Sequence, residues 1–276
     1  MKNSFRWLGR GKEQGLERLA APGPGGPRGG VMGATGDHSL GAVSARSGWT
    51  PRHSPSCSVA QSCPTLFDLM DCIETLAAGI MNLVPWKPGR TLVDPMCGSG
   101  TMLIEAAMMG INMAPGLNRE FISEKWRTLD KKIWWDTRKD AFDKIDNDVE
   151  FKIYGYDIDE EALEIAKENA EIAGVDEYIE FKLGNAIDFK SDEEYGFIVT
   201  NPPYGERLED KESVQSLYKH LGYTFRKLKN WSYYLITSYE DFEKEFGQEA
   251  DKRRKLYNGM LKTNLYQYIG PRPPKK

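Results

Sequence analysis

The chain has 276 residues, of which 40% are hydrophobic and 28% are charged, an ordinary composition for a soluble globular protein of one or two domains. It contains no apolar run of the roughly 18 residues needed to cross a bilayer, and no apolar core near its N-terminus, so neither a membrane protein nor a secreted one is expected. The net charge of −4 and the four cysteines argue against a generally basic nucleic-acid binder and against a disulfide scaffold, and they favour a cytoplasmic protein.

Residues 1–72 differ in character from the rest of the chain. They are rich in Gly, Pro, Ala and Ser and show no helical or strand period, so we predict disorder. One part, SVAQSCPTLFDLMDC, looks like the translation of an interspersed mobile element. The spacing of Cys57, Cys63 and Cys72 fits no four-ligand zinc pattern, even with His53 nearby, so no metal site is expected.

Residues 73–276 are expected to form one domain in which strands alternate with helices. The predicted elements are a helix within 74–86, a strand over 91–96, a glycine-rich turn and helix over 97–110, at least one helix within 112–150, a strand over 151–159, a helix over 160–174, a strand and turn over 179–189, a strand ending at 200, a helix over 213–228, a strand over 231–238 and a hairpin over 255–269 that turns at Asn258-Gly259. This alternation predicts an α/β fold, with a mostly parallel sheet between helices and an antiparallel strand at its edge.

The first predicted strand ends in a glycine-rich turn that could hold part of a ligand. In open parallel sheets, ligands bind beyond the carboxyl ends of the strands. Here Asp94 precedes the sequence Cys97-Gly98-Ser99-Gly100, whose glycines let the backbone approach a ligand closely. A P-loop would need a lysine directly after Gly100, and a dinucleotide site would need a third glycine, so neither phosphate motif is present.

Polar residues follow the next two strands as well. Asp157 can accept hydrogen bonds from both hydroxyls of a ribose, and Asn185 can bond an adenine amino group. The simpler interpretation of Asp157 and Asp159 is that they cap the following helix. Together the strand ends predict a nucleoside site without a phosphate grip, which fits S-adenosylmethionine because the Asp94 carboxylate suits a cation. Thr75, near the start of the first helix, and Asn201, after a later strand, are also included among the cofactor-binding candidates.

The strand that ends at Thr200 continues into Asn201-Pro202-Pro203-Tyr204. Adjacent prolines cannot continue a helix or a central strand, so this stretch is a stiff extended loop. The amide of Asn201 both accepts and donates, and Tyr204 adds a flat aromatic face. Such a loop suits a planar ring that carries an amino group, although a purely structural turn is the simpler alternative.

Four stretches that span residues 73–270 resemble the THUMP-associated class I methyltransferases. Within that group, the stretches most specifically resemble bacterial enzymes that methylate the exocyclic amine of a guanine in large-subunit ribosomal RNA. The matching stretches are ETLAAGIMNLVPWKPGRTLVDPMCGSGTMLIEAAMMGINMAPGLNREF, YGYDIDEEALEIAKENAEIAG, IVTNPPYGERL and KRRKLYNGMLKTNLYQY. The resemblance implies a Rossmann-like fold with seven strands, S-adenosylmethionine as cofactor, RNA as partner and no metal.

The resemblance also implies a role for each candidate residue. The glycine turn, with Asp94, would hold the methionine end of the cofactor, Asp157 its ribose and Asn185 its adenine. Asn201 and the Pro202 carbonyl would hold the target amine, while Tyr204 stacks on the base. The matching proteins carry a THUMP domain before the catalytic domain, and residues 1–72 look unrelated to it.

Other targets remain open at this point. An adenine-N6 DNA methyltransferase and a protein-glutamine methyltransferase use the same Asn-Pro-Pro-Tyr sequence, and a non-catalytic fragment is a third alternative. Residues 73–276 carry 29 basic and 36 acidic side chains, a net charge of −7, so an RNA partner needs a local basic surface. The basic clusters are DKRRK (251–255) and PRPPKK (271–276), and a solvated surface is the simplest interpretation of each.

Overall fold

The computed structural model describes residues 74–117, 119–205 and 211–274, so the predictions made for 1–72 lie outside the described residues. In chain order the helices and strands are α1 (Glu74–Met81), β1 (Thr91–Asp94), α2 (Thr101–Gly110), α3 (Lys131–Asp143), β2 (Ile153–Asp157), α4 (Glu160–Ala173), β3 (Ile179–Leu183), β4 (Gly196–Thr200), α5 (Lys211–Phe225), β5 (Ser232–Thr237), α6 (Phe242–Phe246), β6 (Lys252–Asn258) and β7 (Leu261–Tyr268). Short 3₁₀ helices lie at Ile122–Lys125, Asp176–Tyr178 and Ala186–Asp188.

The seven strands form one sheet in the order β3-β2-β1-β4-β5-β7-β6. The pairs from β3 to β5 are parallel, whereas β7 runs antiparallel to both β5 and the edge strand β6. The predicted fold class is therefore confirmed. The strand order reverses between β1 and β4, and that reversal is where an open α/β sheet forms a ligand crevice.

Helices cover both faces of the sheet. Alternate residues of each strand point to opposite faces, so each central strand contributes side chains to two cores. In β4, Phe197 and Val199 pack into the core that includes residues of α1, α2 and α4. Ile198, between them, packs into a second core with Tyr218 of α5 and Phe242 of α6. The central strands are thus buried on both faces, as a parallel sheet requires.

Most predicted boundaries of helices and strands agree with the structure to within a few residues. The turn of the β6–β7 hairpin lies one residue later than predicted. The predicted turn was Asn258-Gly259, but Asn258 pairs with Leu261, which leaves Gly259 and Met260 as the two turn residues. Gly259 has a φ of +59°, the conformation that a type II′ turn requires at its first central position. The glycine thus sets the register of the hairpin, and the strand before it begins at Lys252.

The contact between α5 and α6 predicts a large loss of stability for Gly222→Ala. A Cβ at Gly222 would lie 1.9 Å from the Phe246 carbonyl oxygen, whereas one at Gly79 of α1 would meet nothing within 4 Å. We expect Gly222→Ala to lower the free energy of unfolding by about 2 kcal/mol or more. Gly79→Ala should raise it by about 0.5–1 kcal/mol, through helix propensity alone. Urea unfolding of both variants tests this, and equal stabilisation of the two would contradict the packing described for Gly222.

Candidate active site

The glycine turn after β1 is fastened to the end of the neighbouring strand β2. The backbone N–H of Gly98 donates to Oδ2 of Asp157 at 3.0 Å, and the N–H of Cys97 donates to the carbonyl oxygen of Tyr156 at 2.9 Å. The structure therefore brings two of the predicted cofactor segments into direct contact across 59 residues of sequence.

The two acids at the end of β2 have different partners. Asp157 accepts from Gly98 through one oxygen and from the N–H of Asp159 through the other, at 3.0 Å. Asp159 accepts from the N–H of Glu161 at 2.9 Å and is the N-cap of α4. The capping alternative therefore describes Asp159, whereas Asp157 orders the glycine turn and lies at the carboxyl edge of the sheet.

The turn itself is held from the α4 side. Gly98 and Gly100 have φ values of +50° and +82°, which residues with a side chain rarely adopt. A Cβ at Gly100 would lie 3.1 Å from the Cβ of Ala166. The side chain of Asn169 donates to the carbonyl oxygen of Ser99 at 3.1 Å. The turn is thus closely packed on one side, and its backbone is fixed before any ligand binds.

Asp94, at the end of β1, is an almost fully buried carboxyl group with 2% of its surface exposed. Burial raises the pKa of Asp94 to about 7, and the neighbouring Thr200 hydroxyl and Met96 amide limit the rise. The Met96 N–H donates to Oδ1 at 3.1 Å, whereas the buried Thr200 hydroxyl forms no hydrogen bond of normal geometry within the described residues. A buried carboxyl group with few partners is stabilised by a nearby cation.

The raised pKa of Asp94 predicts a pH dependence of stability that Asp94→Asn should reduce. Between the ordinary pKa of 3.8 and about 7, the folded protein binds a proton at Asp94 that the unfolded chain has released. The free energy of unfolding should therefore fall as pH rises through this window, by at most about 1.4 kcal/mol per pH unit. Urea unfolding across this range should show a shallower fall for Asp94→Asn.

Burial also raises the pKa of Glu105 to about 7, so Glu105→Gln should remove a comparable part of the slope. The two substitutions together should leave a flatter profile than either alone, because the groups titrate in the same window. An unchanged slope in Asp94→Asn would contradict the proposed titration of that group.

Asn185 lies beside a cavity at the end of β3. The cavity has a volume of about 300 Å³, and Pro95, Tyr156 and Gly184 lie in its wall with Asn185. Oδ1 of Asn185 accepts from the N–H of Ile187 at 3.2 Å, which orients the side chain at the start of a 3₁₀ helix. The N–H of Gly184 donates to the carbonyl oxygen of Asp157 at 2.8 Å, so the cavity adjoins the acid. It is large enough to receive a planar base.

The Asn201–Tyr204 loop is held by a hydrogen bond within the loop and by a hydrogen bond from α5. The Tyr204 hydroxyl donates to Oδ1 of Asn201 at 2.5 Å, and the Tyr218 hydroxyl of α5 donates to the Pro203 carbonyl oxygen at 2.8 Å. The Tyr218 hydroxyl also lies 2.8 Å from the Thr237 hydroxyl at the end of β5. These contacts fix the loop at the carboxyl edge, next to β1.

Two of the predicted roles are not visible in these contacts. The Tyr204 side chain is buried, with 3% of its surface exposed, so stacking on a base requires its ring to leave this position. Thr75 is exposed in the first turn of α1, and no hydrogen bond joins it to the strand ends within the described residues. The roles of Tyr204 in stacking and of Thr75 in cofactor binding therefore stay predictions.

Several contributors could not be identified from the sequence. Tyr156 lines the cavity, Asn169 holds the glycine turn, and Tyr218 with Thr237 holds the proline loop. They lie on other elements, and nothing in their local sequence indicates the contact.

Cys97 is buried, which raises the pKa of its thiol well above the usual range and keeps it protonated.

Neither a membrane-spanning helix nor a metal-ligand cluster occurs within residues 74–117, 119–205 and 211–274. No helix in these ranges is both long and apolar enough to span a membrane. Within the same ranges, no group of three or more His, Cys, Asp and Glu side chains is arranged to hold a metal ion.

The sheet order and the residues gathered at its carboxyl edge define a class I methyltransferase domain, the class of enzymes whose methyl donor is S-adenosylmethionine. The chain belongs to the family of RMKL-like methyltransferase domains, whose model matches residues 72–267.

Named relatives and solved structures agree with this assignment. YpsC of Bacillus subtilis (strain 168) is 48% identical over 204 residues, which are 74% of this chain and 53% of YpsC. Ribosomal RNA large subunit methyltransferase K/L of Shewanella sp. (strain W3-18-1) is 42% identical over 201 residues, 70% of this chain and 28% of that enzyme. A possible methylase from Clostridium difficile 630 has 80% identity and a TM-score of 0.71, covering 74% of this chain and 54% of the other.

A further crystal structure, of SMU.472 complexed with SAH, has 45% identity and a TM-score of 0.70, and covers 73% of this chain and 53% of the other. The chain therefore spans about half the length, or less, of these relatives.

Proposed function

We propose that residues 73–276 are a catalytic domain that transfers a methyl group from S-adenosylmethionine to the exocyclic amine of a guanine in RNA, most specifically in large-subunit ribosomal RNA. The observation that carries this proposal is the Asn201–Tyr204 loop, which is fixed beside the Asp94 and Gly98 turn at one edge of the sheet. The name of the Shewanella relative supports an RNA target.

The cofactor would lie along three strand ends. The cavity beside Asn185 would receive the adenine, and Asp157 would accept hydrogen bonds from the ribose hydroxyls. The backbone of Gly98 and its neighbours would face the methionine end, while the Asp94 carboxylate favours the positive charge of the sulfonium. S-adenosylmethionine supplies an activated methyl group when it is bound, so the protein mainly has to align the amine with it.

The proline loop would hold the acceptor. Oδ1 of Asn201 accepts from the Tyr204 hydroxyl, which orients the amide, and the Asn201 amide oxygen would accept a hydrogen of the target amine. The Pro202 carbonyl would accept the other hydrogen, so that the nitrogen lone pair is drawn out of the ring system. Tyr204 thus orients the Asn201 amide in this proposal, in addition to the predicted stacking. No strong general base is required, because the methylated nitrogen is cationic after the transfer and then releases its proton to water.

Methyl transfer from labelled S-adenosylmethionine onto purified RNA, DNA and protein tests the proposed function. We expect label in large-subunit ribosomal RNA that lacks the modification, and digestion to nucleosides should release N2-methylguanosine. Asn201→Ala serves as the inactive control. Label in N6-methyladenine or in methylglutamine would replace the guanine target with the adenine amine or the glutamine side-chain amide. A complete absence of transfer would contradict the proposed activity.

A further inference from the structure

The charge of the chain is divided sharply between its C-terminal end and the rest of the domain. Residues 252–276 contain eight Lys and Arg residues and no Asp or Glu. Residues 73–251 contain 21 basic and 36 acidic residues, a net charge of −15. A polyanion is therefore repelled by most of this domain and attracted to the segment that contains β6 and β7.

The topology places the tip of the β6–β7 hairpin at the same edge as the candidate active site. Thr200, the last residue of β4, pairs with Leu235, so Pro202 is level with Thr237 at the end of β5. Thr237 pairs with Asn264 of β7, and the hairpin continues beyond that pair to Met260. At about 3.4 Å per residue, the tip extends roughly 13 Å past the level of the proline loop. It stands two to three strands away, or about 10–14 Å to the side.

The tip carries two lysines around one exposed tyrosine. Lys255 and Tyr257 are two residues apart in β6 and therefore share a face, and Lys262 is the cross-strand partner of Tyr257 on that face. The Nζ atom of Lys255 lies 5.2 Å from the centroid of the Tyr257 ring. The Tyr257 side chain is 57% exposed and Met260 is fully exposed. The hydrogen bond and the positive charge of Lys255 lower the pKa of the Tyr257 hydroxyl, with a smaller contribution from Lys262.

The hairpin face that carries Lys255, Tyr257 and Lys262 lies on the same side of the sheet as the residues that hold the proline loop. Arg253, on the same face as Lys255, pairs with Tyr266, which packs into the core with Tyr218 of α5. Tyr218 in turn holds the Pro203 carbonyl. A strand of nucleic acid that delivers a base to the loop on this side can therefore reach the hairpin tip.

We propose that the β6–β7 hairpin tip is a docking surface for the unpaired RNA strand next to the target nucleotide. The lysines at 255 and 262 would bind phosphates, and the exposed Tyr257 ring would stack on a base, the combination used by proteins that bind single strands. This inference rests on the proposed function for its partner, but it concerns RNA affinity rather than methyl transfer.

Binding of a fluorescently labelled, unpaired RNA oligonucleotide to the full chain, followed by anisotropy over a range of salt concentrations, tests the inference. Lys255→Gln with Lys262→Gln should weaken binding and lower the slope of log affinity against log salt by about 1.4, or about 0.7 for each phosphate contact. Tyr257→Ala should weaken binding about tenfold, and Tyr257→Phe, which keeps the ring, should not. In the methyl-transfer assay these variants should raise KM for RNA and leave kcat unchanged.

The matched control is Lys139→Gln with Lys144→Gln, which removes the same charge from exposed positions on and just after α3. Each lysine makes an exposed ion pair, so stability should change little. The inference is supported if the tip variants lose affinity while the control binds like the wild type. It is overturned if the tip variants bind like the wild type, if the control loses as much, or if the wild type does not bind the oligonucleotide. The nucleoside products of methyl transfer judge the proposed function separately, because they are measured at saturating RNA.

Discussion

Replacing Asn201 with Ala should lower kcat for methyl transfer by about 10²–10³-fold or more, because the side chain supplies an acceptor that acts on the reacting amine. The Asn201 amide is already oriented by the Tyr204 hydroxyl at 2.5 Å, so the loss is that of a preorganised group. Cofactor affinity should stay close to the wild-type value, because Asp157 and the cavity beside Asn185 are unchanged. Rapid-quench transfer under saturating RNA and isothermal titration with SAH measure the two quantities.

Tyr204→Phe is the matched control for this prediction. It removes the hydroxyl that bonds Asn201 but keeps the buried ring, so it should lower kcat less than Asn201→Ala does. Thermal unfolding of both variants checks that the loop remains folded. Near-normal turnover in Asn201→Ala would remove that residue from the mechanism.

The second large effect is expected for Asp157→Ala, which should weaken SAH binding by about 100-fold or more. The carboxylate accepts from the Gly98 N–H at 3.0 Å and would also accept from the ribose hydroxyls. Hydrogen bonds to a charged group contribute about 1.5–3 kcal/mol each, so the loss of the two ribose contacts corresponds to about 100-fold or more. Isothermal titration with SAH measures the affinity directly.

Asp159→Ala provides the comparison, two residues further along the chain. Asp159 caps α4 through the Glu161 N–H, so its loss should cost about 1 kcal/mol of stability and little affinity. If Asp159→Ala weakened SAH binding as much as Asp157→Ala, the two acids would share one structural role. The assignment of Asp157 to the ribose would then be wrong.

The elements of the fold could be predicted because their signals are local. Gly174 ends α4 in the left-handed conformation, as expected for a glycine at a helix C-terminus. The alternation of strands and helices was enough to indicate a parallel sheet. The hairpin turn was predicted one residue early, because Asn-Gly favours a type I′ turn whereas the structure uses Gly259 as the first turn residue. Helix α6, only five residues long, was missed because its sequence is too short to show a period.

Site residues could be predicted only where the local sequence places a polar residue or a glycine at the end of a strand. Asp94 and Asp157 are the last residues of strands, and Gly98 and Asn201 come after strands, so their shared edge follows from a parallel sheet. The supporting contacts come from elsewhere: Tyr218 reaches Pro203 from α5, and Asn169 reaches Ser99 from α4. The burial of Tyr204 could not be foreseen either, because it depends on packing against residues far away in sequence.

A crystal structure of the chain with SAH tests the central claim most directly, since that claim is that neighbouring strand ends form one cofactor crevice beside the proline loop. The predicted result places the adenine in the cavity next to Asn185, the ribose hydroxyls on Asp157, the methionine end against Gly98 and the sulfur facing Asn201. Electron density for SAH on another surface of the domain, or a sulfur atom that faces away from Asn201, would contradict the account.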